Sequence, residues 1–66
     1  MDKVKVAKTI DKTAENNIRE YHDKLYEIKW DRKRSAQDRY AAATEATGIE
    51  NTLRFLGIEI EGVNDY

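Results

Sequence analysis

A chain of 66 residues with 12 basic and 13 acidic side chains carries a net charge of −1, and 38% of it is charged. It is long enough for one domain only, and at this size it buries too small a share of its surface to be more than marginally stable alone. There is no cysteine and His22 is the lone imidazole, which excludes disulfides and thiolate zinc sites and leaves oligomerisation as the expected support. The balanced charge supplies no global basic field for nucleic acid. No apolar run approaches the ~20 residues that cross a bilayer, and the first residues lack a signal peptide's apolar core. The expectation is a cytoplasmic protein with no membrane attachment.

Taken in order, residues 3–6 read Lys-Val-Lys-Val, a period-two alternation suited to a short strand with one wet face. Thr9 or Asp11 can cap a helix by accepting from first-turn N–H groups. Glu15–Arg19 and Glu20–Lys24 follow as acid-before-base pairs four apart, each worth ~0.3 kcal/mol of helix support. From 11 to 56 there is no proline and Gly48 is the one glycine, so this stretch is read as a helical body.

Its apolar residues share one alternating three-and-four spacing: Ile18, Tyr21, Leu25, Ile28, Ala42, Ala46, Ile49, Leu53 and Leu56. They form the expected dimer seam, which turns polar in the middle at Arg32, Ser35 and Arg39. The seam is symmetric about residue 37, so it fits two arrangements equally: an αα-hairpin folded near 35–38, or a straight helix paired antiparallel with a second copy. Ser35-Ala36-Gln37-Asp38 has a capping-box pattern for a second helix. Residues 32–46, however, are rich in alanine and arginine and hold no residue suited to positive φ, which favours the uninterrupted helix. A break at Thr47-Gly48-Ile49-Glu50 is the third option, because glycine costs ~1 kcal/mol inside a helix.

Gly57 is placed to stop the helix in a left-handed conformation. Residues 58–61, Ile-Glu-Ile-Glu, read as a second short strand, and the tail Val63–Tyr66 as loose. In either antiparallel arrangement, Lys3 and Lys5 would face Glu59 and Glu61 across a two-stranded ribbon. The fold class expected is therefore all-α in the main: one domain over 1–66, as a long helix or αα-hairpin, forming an antiparallel coiled-coil-like homodimer with short terminal β segments.

The chemistry-bearing residues favour bland readings. His22 lacks a second ligand at metal spacing and is read as a solvated helical histidine. Ser35 has no nearby base, Gly48, Gly57 and Gly62 form no phosphate loop, and Asp31 and Asp38 are two turns apart. No catalytic residue, metal ligand or cofactor site is expected, and an enzyme is not. The feature above background is Tyr26 and Trp30, one turn apart, beside Lys29, Arg32, Lys33, Arg34, Arg39 and Tyr40. Either the aromatics widen the core under arginine stems, or Tyr26, Trp30, Lys33 and Arg34 form a hot spot for a protein partner. Residues 29–39 carry five basic and two acidic groups, a local +3 that is narrow for nucleic acid.

The stretch Gly48-Ile49-Glu50-Asn51-Thr52-Leu53-Arg54-Phe55-Leu56-Gly57-Ile58, about a sixth of the chain, resembles the C-terminal part of small accessory proteins from phages and prophages of Gram-positive bacteria. The resemblance carries no functional residues and implies a context: binding, and inhibiting or redirecting, a host protein. A non-enzymatic protein-binding module is thus the leading expectation, ahead of a small nucleic-acid-binding regulator and a structural assembly component.

Overall fold

A computed structural model describes residues 10–65 of the chain. Two helices pack against each other, α1 (Lys12–Lys29) and α2 (Ala36–Leu56), and the described residues contain no strand. The uninterrupted helix that composition favoured does not form, because residues 30–35 turn the chain back on itself.

The turn is held by short-range polar bonds. Trp30 ends α1 at φ −101° and ψ 3°, and Asp31 Oδ1 accepts from Lys33 N at 2.9 Å, a local turn that competes with helix. Ser35 Oγ then accepts from Asp38 N at 3.1 Å, the capping bond its spacing predicted. From the second helix, Arg39 Nε reaches back to the Lys29 carbonyl at 3.1 Å and satisfies an end carbonyl of α1. Arg32, Ser35 and Arg39 therefore belong to the turn and its brace, and they are not a polar interruption of a continuous seam.

Gly48 does not break α2; the helix runs through it to Leu56. Gly57 supplies the left-handed stop at φ 75°, donating to the carbonyl of Arg54. Asp11 sits at the N-cap of α1 but makes no side-chain capping bond, and Thr9 and residues 3–6 lie outside the described residues. The Glu15–Arg19 pair forms at 2.7 Å.

The core has two parts. Leu25, Ala42 and Ala46 are buried together with Tyr26, Ile28 and Ile49 partly buried against them. Leu53, Ile60 and Val63 form the second, against Ile10, Ile18, Ile49 and Ile58. The tail is thus folded and half of this second core, not loose as far as Asp65. Nor is 58–61 a strand. Residues 58–60 are followed by a tight turn in which Val63 N and Asn64 N both donate to the Ile60 carbonyl. The buried Asn64 side chain accepts from Ile60 N at 2.7 Å and donates to the Ile58 carbonyl at 2.8 Å. Arg19 Nε ties the segment to α1 through the Glu61 carbonyl at 3.0 Å.

Of the seam residues, Leu25, Ala42, Ala46 and Leu53 are buried within the chain, and Ile18, Ile28 and Ile49 partly so. Tyr21 and Leu56 stay exposed.

Candidate functional site

The turn between the helices places Trp30 at the tip of the hairpin with 67% of its surface exposed. It does not widen the core. Lys29 Nζ lies 4.9 Å from the centre of the Tyr26 ring and 5.0 Å from that of Trp30, so one ammonium bridges the two aromatic faces. Asp31 is shared: it accepts from Lys33 N and pairs with Arg34 Nε at 3.6 Å. Arg32, Lys33 and Arg34 are exposed, as is Tyr40 in the first turns of α2. The tip is an exposed indole amid basic side chains.

Tyr26 departs from this group. It is partly buried, and its hydroxyl donates to Glu50 Oε2 at 3.1 Å. The same oxygen lies 2.8 Å from His22 Nε2. An ionised Glu50 can only accept, so the imidazole donates. His22 is 5% exposed and its ring stacks at a tilt on Tyr26, with centroids 4.7 Å apart. The solvated-histidine reading of His22 is therefore overturned: it sits in the interface between helices, linked to a residue on the other one. Its i, i+4 spacing with Tyr26 was visible in the sequence, but Glu50 is 28 residues away. No local pattern could announce that pairing.

Near the free ends of the helices, an open groove of about 760 Å³ lies between them. Ile10, Ile18, Ile49, Leu53, Leu56 and Ile58 supply its apolar lining, with Gly48 and Thr52 from α2. Within α1, Asn17 and Arg19 flank Ile18 on either side, each turned ~100° from it. Asn17 lines the groove while Arg19 holds the tail, and Ile58 of the tail segment closes one edge of the groove. Glu45 is the groove's one acid, and it is already hydrogen-bonded by the Tyr21 hydroxyl. That bond, with some loss of solvent and the neighbouring negative charge, raises the Tyr21 pKa above its ordinary value. Toward the tip the same face continues past Leu25, Ile28 and Ala42, with Lys24, Arg34 and Asp38 at its edge.

Among the described residues no cluster of histidine, cysteine, aspartate or glutamate is arranged to hold a metal ion, and no helix is long and apolar enough to cross a membrane. Two surfaces remain as candidates for function, the basic aromatic tip and the apolar groove. No family model, no curated protein and no solved structure matches the chain.

Proposed function

We propose that this chain is a non-enzymatic, homodimeric protein-binding module whose tip docks on an acidic protein partner. Trp30 carries the reading: tryptophan is highly buried on average, and this one is left 67% exposed at a turn amid basic side chains. Trp, Tyr and Arg dominate interface hot spots, and Trp30, Lys33 and Arg34 stand within five residues on one braced turn. The resemblance to phage accessory proteins supports a role in inhibiting or redirecting that partner. Residue by residue, Trp30 is the anchor, while Lys33 and Arg34 steer association. Tyr26 contributes by fixing Lys29 and the end of α1 rather than by direct contact.

The test is capture from a Gram-positive bacterial lysate by the wild type, Trp30→Ala and Lys33→Glu/Arg34→Glu proteins, followed by affinity measurement on the captured protein. Trp30→Ala should weaken binding by ~2 kcal/mol or more. The double reversal should mainly slow association and alter its salt dependence. Retention of full affinity by both folded variants would retire the tip.

A nucleic-acid-binding regulator is the second reading, favoured by the local +3 of residues 29–39 and by the exposure of Trp30 and Tyr40, on which bases could stack. It requires binding to a single-stranded oligonucleotide that falls steeply with added salt.

A further inference from the structure

We infer that copies of this chain pair by exchanging arms: the turn at 30–35 opens, α1 and α2 run on as one helix, and each arm packs on the opposite arm of a second copy. This rests on the homodimeric reading above and names the surface that joins the copies, the one that already holds α1 to α2.

The two arms are in phase with each other. Ile18, Leu25, Ala46 and Leu53 are separated by multiples of seven residues, and so are Tyr21, Ile28, Ala42, Ile49 and Leu56. Leu25, Ala42, Ala46 and Leu53 are the buried members, with Ile18, Ile28 and Ile49 partly so. A hairpin has no need of this agreement, because its turn can present the second helix at any rotation; a continuous coiled-coil helix requires it. The cross-arm bonds are also centred on the turn. His22–Glu50, Tyr26–Glu50 and Tyr21–Glu45 have their midpoints at residues 36, 38 and 33. Two continuous helices laid antiparallel about that centre present the same residues to each other, between copies instead of within one.

Little holds the turn against opening. Residues 30–35 contain no glycine or proline, and none of them stands at positive φ. Ser35 is already at φ −63° and reaches the helical region by ψ alone, from 155°. Its cap on Asp38 and the Asp31–Lys33 bond are local, and helix N–H bonds replace them. Opening gives up the Arg39 brace on the Lys29 carbonyl, and at the centre it sets Arg32 against Arg39 of the second copy. The closed hairpin therefore prevails when dilute and the exchanged pair when concentrated. In the open helix Trp30 and Arg34, four apart, stay on the side away from the heptad positions, so each copy keeps them exposed.

Ala36 is the clean probe. It is exposed at the first position of α2, and Ser35 before it has the extended ψ that a residue preceding proline adopts. Proline there suits the hairpin, whereas in a continuous helix it clashes with the carbonyl of residue 32. Sedimentation equilibrium of the full chain should give 7.7 kDa at low micromolar concentration and twice that at high. Ala36→Pro should raise the dimer Kd by about 100-fold or more, with helical circular dichroism of the dilute protein unchanged. Spin labels on Glu20→Cys and Thr47→Cys, both exposed positions in a chain without cysteine, read the exchange directly. Neighbouring arms of a hairpin hold them within roughly 25 Å, whereas a continuous helix from 20 to 47 separates them by ~40 Å. With the labelled chain diluted in wild type, the longer distance should grow in with the dimer. A monomer at every concentration would sink the homodimer and the exchange together. A dimer showing only the short distance would overturn the exchange alone, as would one that a folded Ala36→Pro protein still forms. Should Ala36→Pro fail to fold, the distance in the otherwise unaltered chain decides.

Discussion

At the scale of single residues, His22 and Tyr21 separate two kinds of polar contact. His22 is buried on Glu50, so His22→Ala removes a hydrogen bond, a ring contact and volume, and leaves a nearly buried carboxylate with one partner fewer. A loss of about 2 kcal/mol or more in urea denaturation is expected. A solvated histidine would give no loss, or a small gain from alanine's helix propensity. Tyr21 is different, since its contact with Glu45 is exposed and matters for titration more than for stability. Its pKa is raised in the fold, so the contribution of the contact is fully present below the unfolded value near 10 and is lost as pH rises through the folded value. In an ultraviolet titration Tyr21 should ionise later than a tyrosine in the unfolded chain, and Glu45→Gln should move it back toward pH 10. An unmoved transition in Glu45→Gln would show that the carboxylate is not the cause.

Elements are held by their ends. The Ser35 cap starts α2 immediately after the turn, and Ser35→Ala should cost about 1 kcal/mol by thermal or urea denaturation. Arg39 has a brace to α1, so Arg39→Leu should lower the melting temperature; on a continuous seam, the same change would have raised it. Asn64 is the corresponding fastener of the tail, making one bond as acceptor and one as donor within its turn. Asn64→Ala should cost about 1–3 kcal/mol, since it leaves buried backbone groups unsatisfied. It should also raise amide exchange in 58–64 ahead of the helices. Uniform exchange across tail and helices would mean that they open as one unit.

For the whole molecule, the basic aromatic tip and the apolar groove lie apart on one small frame. Gly48 lies about 18 Å along α2 from Ala36, with the tip beyond it. Trp30→Ala should cost little stability in urea denaturation, within about 0.5 kcal/mol for an exposed site. A loss of several kcal/mol would mean that the indole packs on the body of the hairpin.

What the amino-acid sequence determined by itself was local. The three-and-four spacing marked 11–56 as a helical body, which the fold divides into 12–29 and 36–56; Ser35 and Asp38 carried a cap, and Gly57 carried a left-handed stop, because each depends on neighbours within a few residues. The inward and outward alternation of 58–61 was also legible: Ile58 and Ile60 are covered while Glu59 and Glu61 are exposed. Its assignment to a strand failed because period two describes any extended segment against a core, and here the segment closes on Asn64. At residues 30–35 the local signals conflict, since Asp31 and Ser35 hold a turn and a cap while the alanine- and arginine-rich composition of 32–46 favours continuing the helix, and the hairpin adds bonds between its two arms: His22 to Glu50, Arg39 to Lys29, Arg19 to Glu61. The same distant contacts buried His22, left Trp30 outside, and set the tail segment at one edge of an open groove. Those outcomes belong to the tertiary structure, since they turn on which surfaces meet across tens of residues and not on what any short stretch prefers.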